Sequence, residues 1–380
     1  MKKNIFIAFS LLLILGSCKN KEENQPKENT YLINGKMESL EPGSIAVLTY
    51  KQNDSTITDT ASIEDGVFTF IGKVNHPANA TISVRHGKAF PEKYGERDIY
   101  NFFIENSTMQ LSASNLIKEA NIKGSVLTDE SIEIESQISP LTDEIIALFK
   151  RMDNRSKEEK LITYDTIQIY VDSIKVVAHK FITTHPNSYV ALQRFSRHEM
   201  PKNFDPVTAD KEFNELFDEN LRQTPTGKAI ANRIAIAKKS QIGIKAINFS
   251  QTTVDGKDFK LSSLRGKYVL IDFWAAWCKP CRAENPFVLK AYNKYKDQNF
   301  EIVGVSLDAD QKSWEKAIQK DGLPWIHVSD LKHWKNEVAI QYGVSSVPAN
   351  YLINPEGVII AKNLRGEALT EKLSEIFDKS

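Results

Sequence analysis

A chain of 380 residues exceeds what one hydrophobic core usually organises, so its length predicts more than one domain. Its 49 Lys and Arg balance 49 Asp and Glu, and 41% hydrophobic residues are ordinary for a globular protein. Basic residues do not gather into a stripe interleaved with aromatics, which excludes nucleic acid as the expected partner.

Lys2 and Lys3 precede an apolar run from Ile5 to Leu15 that ends in Leu15-Gly16-Ser17-Cys18. A basic start, an apolar run too short for a comfortable membrane span and small residues before a cut site make an export signal. The last four residues resemble the lipobox of bacterial lipoproteins, in which the cysteine is acylated and becomes the first residue after cleavage. That resemblance implies a signal peptide over 1–17, a lipid on Cys18, and a lipid-anchored, periplasm-facing place in the cell envelope. An ordinary signal peptide with a chance cysteine is the alternative. Residues 18–29 are polar and aperiodic, and read as a tether.

Residues 30–126 change to short alternating or β-branched runs between turn residues: 45–50, 67–74, 80–84, 100–104 and 109–111. This spacing predicts an antiparallel β domain. Glu64-Asp65-Gly66 is a hairpin-turn signal, with Val67 and Thr69 on one face of the next strand and Phe68 and Phe70 on the other. His76 and His86 are isolated and read as surface or loop residues. The order of elements resembles the N-terminal β domain of unassigned role, DUF4369-like, that precedes thioredoxin-like modules in a group of bacterial lipoproteins.

Helical periodicity dominates residues 127–240. Helices are expected from Lys157 to about Thr184, closed by His185-Pro186, then over 189–198, 210–221 and 227–239. Alternating charges suggest a helical spacer between two domains more than a substrate-binding element. From 241 to 380 the elements alternate. A hairpin around Asp255-Gly256 is followed by a strand over 267–274, a helix, strand 301–306, a helix near 310–321, a strand near 325–328, a helix near 334–342, strands 350–353 and 358–362, and a final helix over 367–378. That order argues an α/β domain with a mixed sheet covered on both faces, making the whole chain multidomain.

The chemistry sits in Trp277-Cys278-Lys279-Pro280-Cys281, where a buried strand gives way to a helix. Cys278 falls at the helix N-terminus, where unpaired N–H groups and the macrodipole favour a thiolate. There a thiol pKa near 8.5 can drop to roughly 3.5–7.5, which activates the first sulfur as nucleophile. With Cys18 assigned to lipid, Cys278 and Cys281 are the remaining cysteines, too few for a structural disulfide framework. No Cys or His cluster near the pair completes a zinc site, so neither a metal nor another cofactor is expected.

Residues 244–380, about a third of the chain, resemble the thioredoxin fold in its TlpA/ResA-like form, the exported disulfide reductases, through this motif and Gly343-Val344-Ser345-Ser346-Val347-Pro348. The resemblance implies that Pro348 is cis and packs beside the cysteines, and that Trp277, Lys279, Pro280, Val347 and Pro348 face substrate. Asp272 matches the buried acid of classical thioredoxins, and Glu284 the active-site glutamate of the ResA-like group; a carboxylate near the thiols can take the Cys281 proton. Glu284 as a mere complement to the helix dipole is the alternative. Asn350 and Val347 depart from the family's commonest pattern and bear on substrate preference. Partners implied are protein disulfides, a membrane electron donor for re-reduction and, through the lipid, the membrane itself; cytochrome c maturation is a family association. Rivals are a disulfide oxidant or isomerase, an envelope ligand-binding protein with an auxiliary redox domain, and a peroxiredoxin-like peroxidase. For the last, Ile271 and Ala275 stand where its Pro and Thr/Ser would precede the cysteine.

Overall fold

A computed structural model describes residues 29–378, except 39, 53–54, 88–96, 153–155 and 202–203. The expected signal peptide, Cys18 and all but the end of the tether lie outside the described residues. The chain forms two compact units, dividing between Glu133 and Ile134.

In the first unit the described strands are β1 (Tyr31–Met37), β2 (Ile45–Gln52), β3 (Ser55–Ser62), β4 (Val67–Gly72), β5 (Ala78–Arg85), β6 (Asp98–Ile104), β7 (Thr108–Ala113) and β8 (Asn121–Lys123). They make two four-stranded sheets, ordered β4-β1-β7-β8 and β3-β2-β5-β6. Period-two alternation turns Ala46, Leu48 and Tyr50 of β2, Phe68 and Phe70 of β4, and Ala80, Ile82 and Val84 of β5 into a common core.

Four details differ from expectation. The neighbours β1 and β7 run parallel, so the first sheet is not wholly antiparallel. The turn at Asp65-Gly66 is tight, with φ of 48° and 75° and two backbone hydrogen bonds between Glu64 and Val67, yet its flanking strands part: β3 pairs with β2 and β4 with β1. Only glycine fits at 66, because a β-carbon there would strike the carbonyl of Met37. Finally, β3 carries no hydrophobic pattern because it is an edge strand exposed almost throughout. His86 is also not isolated: its Nε2 lies 2.8 Å from the buried carboxylate of Asp98.

The helices follow in order: α1 (Val126–Lys150), α2 (Lys157–Thr184), α3 (Tyr189–Arg194), α4 (Pro206–Leu216), α5 (Glu219–Arg222) and α6 (Pro225–Lys239). A capping box at Ser156 and Glu159 starts α2. The single helix expected over 210–221 breaks because Phe217 is extended and buried, and Asp218 caps α5 by accepting the Leu221 N–H at 2.9 Å.

The rest of the second unit holds β9 (Ser250–Thr252), β10 (Asp258–Lys260), β11 (Tyr268–Trp274), α7 (Lys279–Tyr295), β12 (Phe300–Ser306), α8 (Gln311–Asp321), β13 (Ile326–Val328), α9 (Glu337–Gln341), β14 (Ala349–Ile353), β15 (Ile359–Lys362) and α10 (Glu367–Phe377). One sheet runs β13-β12-β11-β14-β15, parallel across the first three strands and antiparallel across β14 and β15. Central β11 is buried from Val269 to Trp274, as a strand covered on both faces must be. The α6 helix is more than a spacer: with Tyr342, Gly343 and Tyr351 it lines a cavity of about 270 Å³, and a β-carbon on Gly343 would sit 2.8 Å from the Ile236 side chain.

Gly304 of β12 is where this core has no slack. A β-carbon there would lie 2.7 Å from His327 Nδ1 and 3.1 Å from Trp274 Nε1, and His327 is packed against Trp274 and Trp325. Gly304→Ala is therefore expected to destabilise the protein by about 1–3 kcal/mol, the usual cost of overpacking. A fall in the urea midpoint at unchanged slope is the readout; an unchanged midpoint would show that this wall yields.

Candidate active site

Strand β11 ends at Trp274, and a four-residue turn carries the chain into α7. Cys278 is the N-cap of that helix, and its Sγ accepts the backbone N–H of Cys281 at 3.1 Å. Pro280 fills an early helical position where no N–H is needed. The two sulfurs are joined, with the Cα atoms 5.3 Å apart. Cys278 is 4% exposed and Cys281 2%, so an attacking group reaches the pair by a restricted path. The arrangement presents helix-terminal donors to the first sulfur, which stabilises it as an anion once the bond is opened.

The turn itself is held from two sides. The carboxylate of Asp308 accepts the Ala276 N–H at 2.9 Å and the Ser306 hydroxyl at 2.8 Å. Burial pushes the Asp308 carboxyl up, and these two donors act in the opposite sense. Arg282 reaches the Ala276 carbonyl at 3.4 Å while its guanidinium forks onto Asp321, which also accepts from Asn285.

Register brings the proline loop to the same place. Phe273 pairs with Ala349 and Asp272 with Asn350, so Pro348, one residue earlier, sits at the end of β11 beside the cysteine turn. The Val347-Pro348 bond is cis. Trp277 is 47% exposed and stacks on His333 at 5.2 Å, leaving an aromatic face beside the disulfide; Lys279 and Pro280 are exposed next to it.

The two acids differ. Asp272 is buried on β11, and burial first, then the nearby Glu284 charge, raises its pKa to about 7 against the pull of Arg365. Glu284 is half-buried on α7, and its Oε2 accepts the Gly366 N–H at 2.8 Å at the start of α10. Its carboxylate thus caps a different helix from its own, which neither expected role for Glu284 included. Asn350 explains how: its side-chain amide donates to the Leu364 carbonyl at 2.8 Å and accepts the Leu364 N–H at 2.9 Å. This clasp holds the segment from which Arg365 faces Asp272 and Gly366 meets Glu284. Asn350 stands out in the sequence only as a departure from the commonest pattern of the family that the motif resembles; Arg282, Asp308 and Arg365 carry no local signal.

Comparison with known proteins follows the same division. Residues 242–362 match the AhpC/TSA family and residues 31–131 the domain of unknown function DUF4369. Over 142 residues the chain is 32% identical to thiol-disulfide oxidoreductase ResA of Bacillus thuringiensis subsp. konkukian, spanning 37% of this chain and 80% of that one. It is 34% identical over 135 residues to ResA of Bacillus subtilis, 35% of this chain and 74% of the relative. A solved thioredoxin domain of a thiol-disulfide oxidoreductase from Bacteroides vulgatus is 38% identical, covering 36% of this chain and 98% of its own, with a TM-score of 0.35.

Asp272 predicts a pH dependence of stability. A carboxyl whose pKa is about 7 folded and 3.8 unfolded binds its proton more tightly in the folded state, so stability is highest below the unfolded value. It declines as pH rises from about 4 to 7 and levels off above, by at most about 1.4 kcal/mol per pH unit. Asp272→Asn should remove that decline in the oxidised protein, so the variant gains on wild type as pH rises. Urea midpoints that run parallel from pH 4 to 8 would return Asp272 to an ordinary carboxylate.

Proposed function

Since the chain belongs to the ResA-like family of thiol-disulfide oxidoreductases, we propose that it is an exported, lipid-anchored enzyme that reduces protein disulfides at the cell envelope. The observation that carries this reading is the Cys278 sulfur at the α7 N-cap, bonded to Cys281 and receiving its backbone N–H.

The cycle starts from the dithiol. The Cys278 thiolate attacks one sulfur of a substrate disulfide, forming a mixed disulfide and expelling the other substrate sulfur as thiolate. Cys281 then loses its proton and attacks Cys278, which releases the second substrate thiolate and leaves Cys278–Cys281 oxidised. Two electrons have passed to the substrate, whose two thiolates take their protons from the medium; of the dithiol's protons, one left Cys278 before the attack and the other leaves Cys281 in the second step. Asp272 takes the Cys281 proton in this reading, since a carboxyl titrating near 7 is matched to that transfer. A membrane electron donor returns the pair to the dithiol. Re-reduction makes the enzyme a reductase rather than an oxidant or isomerase, and the reduction potential separates them: related sites span about −270 to −120 mV. A peroxidase reading finds no support at the cysteine, because Ile271 lies within β11 and fully buried Ala275 offers no hydroxyl.

Two experiments test this. Cys281→Ser should accumulate mixed disulfides with envelope proteins through Cys278, whereas Cys278→Ser should trap few; equal trapping would contradict the assignment. A Cys278–Cys281 potential toward the −120 mV end, measured against glutathione, would make the protein an oxidant instead. For the anchor, Cys18→Ser should abolish partitioning of the full chain into detergent phase, and unchanged partitioning removes the lipid.

A further inference from the structure

Beside Trp277, a groove of about 470 Å³ runs between the cysteine turn and α8. Resting on the exchange chemistry proposed for Cys278, we infer that this groove seats an extended, acidic segment of the disulfide-bearing polypeptide substrate.

The charge balance of its walls points that way. Asp308 spends its carboxylate on the Ala276 N–H and the Ser306 hydroxyl, and Asp310 caps α8 by accepting the Ser313 N–H at 2.8 Å. Arg282 is engaged with Asp321, and Glu315 accepts from the Gln311 side chain. The exposed ammonium groups of Lys316 and Lys320 remain without an ion pair among the described residues; Lys320 contributes only a through-space pull on Asp321. The groove therefore offers two unpaired ammonium groups to a ligand, while of its own carboxylates Asp308 is buried and hydrogen-bonded inward and the exposed Asp310 accepts from the first turn of α8.

The geometry matches an extended chain. Lys316 and Lys320 are one helical turn apart on one face of α8, about 6 Å along the axis at 1.5 Å per residue. Alternate side chains of an extended peptide share a face and repeat at about 6.6–6.8 Å. Two carboxylates spaced by one residue thus meet the two lysines. At the groove's other wall His333 stacks on Trp277, and Leu331 and His333 both hold positive φ, 57° and 54°, a conformation that non-glycine residues rarely keep without a constraint. From this loop the His333 ring lies on Trp277, giving the peptide an aromatic platform beside the cysteine turn.

The test uses the full chain, reduced, and three peptides each joined by a disulfide to a fluorescent thiol. They differ only at two positions, separated by one residue, that carry Glu, Gln or Lys. Reporter release should be roughly tenfold faster for the Glu than for the Lys peptide at low ionic strength, as two exposed ion pairs allow, and the gap should close as salt rises toward about 1 M. Lys316→Glu with Lys320→Glu should reverse the order. Equal rates for the three peptides, or a preference that survives the double substitution, overturn the inference. Neutral 2-hydroxyethyl disulfide, run on the wild type, separates the two levels: if it is reduced while the peptides are not distinguished, exchange stands and the acidic seat falls; if nothing is reduced, both fall.

Discussion

The C-terminal domain is organised by a single demand, that one sulfur be held against the exposed donors of a helix N-terminus. The Cys278 Sγ accepts the Cys281 N–H, and the peptide groups before it are fixed by long-range partners: Asp308 on the Ala276 N–H and Arg282 on the Ala276 carbonyl. Each partner is itself restrained, Asp308 by Ser306 at the end of β12 and Arg282 by Asp321 at the end of α8. The sheet and its covering helix thereby converge on four residues of turn. A helix end with loose donors would stabilise a thiolate less, since the dipole's effect falls off within the first turn.

The same economy governs the acids. A buried carboxylate without a partner is costly and protonates instead, and Asp272 is placed where burial outweighs the opposite charge of Arg365. Glu284, on the disulfide helix itself, is half-buried and keeps a backbone donor, the Gly366 N–H. Asn350, on the neighbouring strand, anchors the segment that leads into α10. Its two hydrogen bonds to Leu364 work like one rung of a sheet ladder and fix how Arg365 and Gly366 enter α10. An aliphatic side chain there could supply neither the donor nor the acceptor.

Local pattern made most of the C-terminal domain legible. Continuous burial of β11, the Asp255-Gly256 hairpin, the N-capping cysteine and the proline loop all lie within short windows. What escaped is what has no local cause. β3 is polar on both faces because it is an edge, β1 meets β7 in parallel across most of its domain, and Phe217 breaks a helix because its ring is wanted in the core with Phe195 and Phe213. The supports of the active site belong to the same class: Asp308 and Ala276 are 32 residues apart, Arg282 and Asp321 39, Glu284 and Gly366 82. Cysteine spacing announces a reaction; the residues that tune it become visible only when the sheet brings them together.

The proline loop shows how the helical segment enters this arrangement. Its far end is set by register, since Ala349 pairs with Phe273. Its near end is set by Tyr342, fully buried, whose hydroxyl donates to the Ile247 carbonyl at 2.7 Å and whose own carbonyl accepts the Tyr351 hydroxyl at 2.9 Å. The ring of Tyr342 packs on Phe273 and Tyr351, so the residue that opens the loop is tied to the strand that leads to the cysteines. Gly343 follows with φ of 68°, close against Ile236 of α6, where any side chain would displace the helix or the loop. The segment before the C-terminal domain is thus one wall of the loop that carries Pro348.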